Sequence, residues 1–142
     1  MPADTNAMRL TLDALDATLA REQTEAGMLL SLGEHLGARF NPKSLPLSGG
    51  GHLEIDGFSM SPAVLCQVHS EIGPLTAEQE RVALFDILKL NHAASVLGNT
   101  ARRILLFRDK STARRWCSTP EVADQLGDSG IEVCVAPARC SV

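Results

Sequence analysis

The chain has 142 residues, which is the length of one domain of ordinary size rather than two. Hydrophobic residues make up 44%, enough to form a buried core, so the composition excludes a largely disordered chain. The formal net charge of −4 argues against a protein that binds nucleic acid through charge alone. We therefore predict a single domain, 1–142.

The sequence carries no sign of a secretory or membrane address. Its first ten residues contain Asp4 and lack an apolar core segment, so they do not form a secretory signal. No stretch approaches the roughly 18 apolar residues that a membrane helix needs. The spacing of the four cysteines does not suit a zinc site, and Cys66 and Cys134 fall in apolar runs typical of reduced core residues. We expect a cytoplasmic protein without membrane association.

The N-terminal segment, 1–40, is predicted to be helical. Leucine and methionine recur at spacings of three and four between residues 8 and 36, as in an amphipathic helix. Gly27 and Gly33 are unfavourable inside a helix, which leaves open one long helix or two with a break near Thr24. The segment 41–51 begins with Asn-Pro and is rich in Ser, Pro and Gly, so it is predicted to be a loop.

The rest of the chain, 52–142, is predicted to form a sheet with its helices. Alternation of polar and apolar residues indicates two strands, His52–Phe58 and Ala63–Ser70, joined as an antiparallel hairpin. Thr76 and Gln79 form the pattern of a capping box at the start of the next helix. A strand follows at 103–107, and then a short helix through Trp116 that either Asp109 or Ser111 can cap. A second short helix begins at Thr119, and the last strand lies at 131–136.

The elements therefore come in the order helix, strand, strand, helix, strand, helix, strand. The final strand–helix–strand unit should be a right-handed crossover between parallel strands. The fold class is α/β of the α+β type, with a mixed sheet of about four strands covered by helices. Many functions use this architecture, so it does not assign one.

Polar side chains of the hairpin form the main candidate site. Glu54 and Asp56 share a face of the first strand, and Gln67 and His69 share a face of the second. If the register brings these faces together, the side chains converge, since neighbours across a strand pair lie about 5 Å apart. Carboxylate and amide oxygens suit Mg²⁺ or Mn²⁺, and His69 could act as a general base. The alternative is an ordinary solvated face.

The helix after the hairpin carries a polar stripe. Gln79, Asp86 and Lys89 lie on one side of it, and Asp86 interrupts the apolar run Val82–Leu90. This stripe could line the same cleft as the hairpin residues. It could equally be a solvated face in which Asp86 and Lys89 form a local ion pair.

A basic patch interrupts an otherwise acidic chain. Residues 101–116 carry six basic side chains and one acidic side chain. They could bind the phosphates of a partner, or they could pair with acidic residues of this chain or of a second subunit. The six are Arg102, Arg103, Arg108, Lys110, Arg114 and Arg115. Near them Trp116, the single tryptophan, is predicted to be a packing anchor rather than a stacking platform.

From Glu34 to Ala136 the sequence resembles the PD-(D/E)XK nuclease superfamily, which has the restriction-endonuclease-like fold. The segment Glu54-Ile-Asp56-Gly57 stands where that family has its hairpin Asp. Eleven residues later, Gln67-Val68-His69 stands where the family has an acidic residue, a spacer and a Lys. The resemblance implies supporting roles for Gln79 on the following helix and for Glu34 on the first helix.

The sequence departs from the family pattern at three positions. Asp56 is not preceded by Pro, Gln67 replaces a metal-binding carboxylate, and His69 replaces the lysine. A neutral amide is a weaker ligand for Mg²⁺ than a carboxylate, and histidine is mostly neutral near pH 7. Two adjacent departures indicate a diverged or lost active site.

Two function classes follow from these observations. In the first, the protein is a divergent Mg²⁺- or Mn²⁺-dependent nuclease that acts on nucleic-acid phosphodiesters. Asp56, Gln67 and His69 would be catalytic, the ion would be held by Asp56 with Glu54 and Gln67, and phosphates would be bound by Arg102, Arg103, Arg108 and Lys110. In the second, the protein is an inactive scaffold that binds a protein partner or dimerises through its N-terminal helix.

Overall fold

The computed structural model describes residues 23–98, 100–136 and 139–140. Its first helix, α1, is described from 23 to 36. The later elements are β1 Asn41–Pro46, β2 His52–Met60, β3 Ala63–His69, α2 Ala77–Val96, β4 Arg102–Phe107, α3 Lys110–Cys117, α4 Pro120–Ser129, β5 Glu132–Val135 and β6 Arg139–Cys140. Helix α1 is unbroken from 23 to 36. The predicted helix between residues 8 and 22 lies outside the described residues.

In the described part of the chain, six strands form one mixed sheet in chain order, β1 to β6. Strand β2 is antiparallel to β1 and to β3, so the predicted hairpin is confirmed. Strands β3, β4 and β5 are parallel, and the crossovers between them contain α2 and then α3 with α4. Strand β6 is antiparallel to β5. The α+β class and the mixed sheet are as predicted, but the sheet has more strands than the four expected.

The segment predicted to be a loop contains an edge strand. Residues Asn41–Pro46 form β1, and among the described residues its one strand neighbour is β2. Pro42 and Pro46 suggested a loop because proline has no N–H to donate to a strand neighbour. An edge strand tolerates such residues, since one of its sides has no neighbour to receive hydrogen bonds.

Helix α1 covers one face of the sheet. Its buried residues Met28 and Leu32 pack against side chains of three parallel strands, namely Val64, Cys66, Val68, Ile104, Leu106 and Cys134. Leu65 belongs to the core on the other face. The side chains of β3 therefore alternate as the sequence predicts.

The other face is covered by α2, α3 and α4. Buried residues of these helices pack against the strands beneath them, chiefly Ala83, Ile87, Leu90, Ala113, Trp116 and Val122. The Trp116 ring lies 5.5 Å from the Phe107 ring, between their centroids, and Trp116 is 2% exposed. Trp116 is thus a packing anchor, as predicted. The sheet has helices on both faces, which places the polar hairpin residues between layers.

The helix starts follow the predicted capping signals. The hydroxyl of Thr76 accepts a hydrogen bond from the backbone N–H of Gln79, and the Gln79 side chain accepts one from the N–H of Thr76. At α3 the carboxylate of Asp109 accepts hydrogen bonds from Thr112 and from the backbone N–H of Gly73. These bonds hold the pKa of Asp109 below its ordinary value. Asp109 thereby joins the start of α3 to the loop before α2.

Cys66 is free and buried, as predicted, and burial raises the pKa of its thiol. Cys134 is disulfide-bonded, which corrects the prediction that it is reduced. In the β5–β6 ladder Cys134 lies opposite Cys140. No strand is predicted after residue 136 from the sequence, so the sequence alone does not bring these positions together.

Among the helices of the described residues, none combines the length and apolar composition of a membrane-spanning segment. The cytoplasmic location stays a prediction.

The two glycines of α1 should respond in opposite directions to alanine. A Cβ at Gly27 meets nothing within 4 Å, so Gly27→Ala should raise the free energy of unfolding by up to about 1 kcal/mol through helix propensity. A Cβ at Gly33 would lie 2.5 Å from the carbonyl oxygen of Ala38. Gly33→Ala should therefore lower the free energy of unfolding by about 1–3 kcal/mol. Urea denaturation followed by circular dichroism measures both, and changes of equal sign would contradict this packing of α1.

Candidate functional site

A β-bulge in β2 determines where the candidate residues point. Asn41 pairs with Phe58, and the next pair is Lys43 with Ile55. From one pair to the next, β1 therefore advances two residues while β2 advances three. The extra residue lies in β2, at Asp56-Gly57. Because of it, Ile55 falls on the same face of the sheet as Phe58, facing α2.

Strands β2 and β3 are joined by side chains next to the bulge. The regular pairing ends at Gly57 opposite Cys66. Beyond it, the backbone N–H of Asp56 donates to Gln67 Oε1 at 2.7 Å. The backbone N–H of Val68 donates to Asp56 Oδ2 at 2.9 Å. The Asp56 carboxylate is thus held between the two strands rather than projecting freely from one face.

Gln67 and His69 face α2, where both meet Asp86. Gln67 Nε2 donates to Asp86 Oδ1 at 3.1 Å, and His69 Nε2 lies 2.9 Å from Asp86 Oδ2. The contact is short but poorly aligned for a hydrogen bond, so His69 Nε2 has no well-directed partner among the described residues. The imidazole is stacked on Phe107, with 5.1 Å between centroids. Gln67 is 3% exposed and His69 and Asp86 are each 4% exposed, so the three form a buried polar cluster.

The pKa of Asp56 is raised above its ordinary value. Burial is the largest cause, and the negative charge of Asp86 adds to it. The hydrogen bond from Val68 opposes this rise, as do the positive charges that His69 and Lys89 can carry. The carboxyl group therefore keeps its proton to a higher pH than a free aspartate does, and a cation would have to compete with that proton.

The predicted convergence of Glu54, Asp56, Gln67 and His69 occurs only in part, because Asp56 contacts Gln67 and senses the charge of His69, whereas Glu54 lies apart. Glu54 is exposed, and its carboxylate accepts a hydrogen bond from the hydroxyl of Ser44 at 2.7 Å. Glu54 and Asp56 lie toward α1, whereas Gln67 and His69 lie toward α2. The hairpin register is the one assumed, with Asp56 across from Gln67. The bulge interrupts the alternation of side chains along β2 at Asp56. Because of it, Glu54 does not share a face with Gln67 and His69.

A cavity of about 910 Å³ lies on the α1 side of the bulge. Its charged lining residues are Glu25, Glu34, Arg39, Glu54 and Asp56. The structure thus brings Glu34, a predicted supporting residue, to the same cavity as Asp56 and Glu54. Within the described part of the chain, however, no three His, Cys, Asp or Glu side chains come close enough together to hold a metal ion.

The expected metal ligands do not fit a metal site. The three expected ligands are Asp56, Glu54 and Gln67. The amide oxygen of Gln67 already accepts a hydrogen bond from the Asp56 N–H. Its nitrogen already donates to Asp86. Turning Gln67 toward the cavity would break both bonds in a buried setting, which costs roughly 1–3 kcal/mol for each group left without a partner.

The polar stripe of α2 divides among three different roles. Gln79, a predicted supporting residue, is part of the capping box and does not reach the hairpin. Lys89 is half-buried and acts on Asp56 through its charge. Asp86 is the important member, since it joins Gln67 and His69. The interruption of an apolar run was its sequence signal, and the alternative of a solvated Asp86 is wrong.

The predicted phosphate-binding residues also divide. The Arg102 guanidinium donates to both carboxylate oxygens of Glu132, at 2.9 and 2.7 Å, and this pairing lowers the pKa of Glu132. Arg103 donates to the side chain of Asn91 at 2.8 Å. Arg108 and Lys110 are exposed. Half of the predicted group is therefore committed to contacts within the chain.

Comparison of the chain with protein families, curated proteins and solved structures found no match.

Replacing Asp56 with Asn should stabilise the protein at neutral pH. The Asn carbonyl can still accept the Val68 N–H, and the variant removes a charge that burial disfavours. Because the pKa of Asp56 is raised on folding, the folded wild type holds this proton more tightly than the unfolded chain does. Its free energy of unfolding falls as pH rises through that pKa.

We expect Asp56→Asn to gain about 1 kcal/mol at pH 7 and to lose this advantage toward pH 4, measured by urea denaturation across that range. Asp124→Asn, on the exposed face of α4, is the matched control and should show little pH-dependent difference. A gain in Asp56→Asn that grows on acidification would contradict the raised pKa.

Proposed function

We propose that the protein is a restriction-endonuclease-like scaffold that has lost its nuclease site and acts by binding a protein partner. The observation that carries this proposal is the Gln67 amide, whose oxygen and nitrogen are both engaged inside the protein. In the family that the sequence resembles, this position holds a metal-binding carboxylate. Here it holds β2, β3 and α2 together.

The order and pairing of the elements support the scaffold. A helix precedes the antiparallel strands, the aspartate lies on β2, and Gln67-Val68-His69 lies on the adjacent β3. A helix and a parallel strand follow, and then a further crossover. This is the arrangement that the resemblance implies for a PD-(D/E)XK domain, with one more strand before the hairpin.

Burial of His69 supports the loss of activity. A residue in the place of the family's lysine must reach the reacting phosphate. His69 is 4% exposed, stacked on Phe107 and adjacent to Asp86. It faces α2, on the opposite side of the sheet from the cavity that Asp56 lines. A buried polar cluster of this kind orders the core rather than carrying out chemistry at the surface.

A divergent metal-dependent nuclease is the second candidate, and one observation favours it. Glu34, Glu54 and Asp56 line the same cavity, and carboxylates are the ligands that Mg²⁺ and Mn²⁺ prefer. Movement of α1 against β2 could bring these groups closer together. Arg108 and Lys110 remain exposed for a nucleic-acid substrate.

Thermal melts with and without millimolar Mg²⁺ or Mn²⁺ distinguish the two candidates. For a scaffold without a metal site, we expect the same melting temperature in each condition, in the wild type and in Asp56→Ala. An ion at ten times its dissociation constant would instead stabilise the folded state by about 1.4 kcal/mol.

Glu78→Ala, an exposed carboxylate at the start of α2, controls for general effects of divalent cations. A metal-induced rise in the wild type and in Glu78→Ala that disappears in Asp56→Ala would overturn the proposal. The nuclease would then be the better interpretation, and single-stranded, duplex and branched nucleic acids should be tested as substrates.

A further inference from the structure

Helix α2 is apolar on both of its faces. Its inner face packs on the sheet through Ala83, Ile87 and Leu90. Its outer face carries large apolar side chains that are each more than half exposed, namely Val82, Phe85, Leu88 and Val96. Large apolar side chains that lie side by side on an exposed helix face are typical of a surface that a partner covers. No element among the described residues covers this outer face.

A groove runs beside the exposed apolar side chains. It has a volume of about 540 Å³ and lies between the first half of α2 and the start of α4. Its apolar lining consists of Ala77, Leu84, Trp116, Pro120 and Val122. Leu88 lies one turn beyond Leu84 on α2, so the protruding residues and the groove are next to each other on one surface.

The rim of the groove carries charges of both signs. Arg81 and Glu80 lie on α2, and Glu121 lies on α4, all exposed. None of these three forms an ion pair with another described residue. Their charges are therefore available to a partner.

We infer that a second copy of this chain docks on this surface through a two-fold axis. A two-fold interface must be complementary to itself, because the same patch serves both subunits. This patch holds apolar projections, Phe85 and Leu88, beside an apolar groove that can receive them. It also holds Arg81 beside Glu121, so each charge can face its opposite in the other copy. The inference rests on the proposed binding role and names its partner.

Sedimentation velocity of the full chain across the micromolar range tests the dimer. We expect a dimer in the wild type and at least about a tenfold weaker association in Phe85→Glu, since a charge would be buried at the interface. Phe85 is more than half exposed in the single chain, so this variant should keep the circular dichroism spectrum and melting temperature of the wild-type monomer.

Leu30→Glu is the matched control, because Leu30 is an exposed apolar residue on α1. It should leave the dimer intact if α2 is the interface. A monomeric wild type would overturn the inference. So would a dimer that Leu30→Glu breaks and Phe85→Glu does not, since association would then go through the N-terminal helix.

Charge exchange tests the two-fold arrangement. Arg81→Glu and Glu121→Arg should each weaken the dimer, and the double variant should restore it, because it exchanges the partners of the same pairs. Failure of the double variant to recover would overturn this arrangement. The sedimentation experiments are run without divalent ions, so a monomer there overturns the dimer alone, whereas an ion effect in the thermal melts overturns the proposed loss of the metal site.

Discussion

The amide of Gln67 is the contact on which the central layers of the protein depend. Its oxygen accepts the backbone N–H of Asp56 at the bulge, and its nitrogen donates to Asp86 on α2. One buried side chain thus closes the gap where the β2–β3 ladder ends and fixes the helix above it. Because both of its polar atoms are satisfied, its burial costs little, whereas an apolar residue there would leave two buried groups without partners.

Much of the fold can be predicted from residue patterns. The alternation of β3 and the capping signals at Thr76 and Asp109 are local properties that residue types express directly. The edge strand β1 is missed because its prolines resemble those of a loop, and only the position at the sheet edge explains why they are tolerated. Strand position is a tertiary property that a single sequence does not display.

The candidate site is only partly predictable for a related reason. The sequence identifies the face of β3 that Gln67 and His69 share, but it leaves the register of the hairpin open. It does not reveal the extra residue of β2, because a bulge is a difference in residue count between two paired strands, and the partner strand β1 is predicted to be a loop. That one residue moves Asp56 toward α1, and the predicted set of ligands is divided between two layers.

The prolines of β1 also limit how the protein can associate with itself. An open sheet edge presents unpaired backbone groups that can recruit a strand from another molecule, a common route to aggregation. Pro42 and Pro46 remove donors from the outer strand. Addition of a strand from another molecule is therefore disfavoured at this edge, because the outer strand offers fewer backbone N–H groups to pair with.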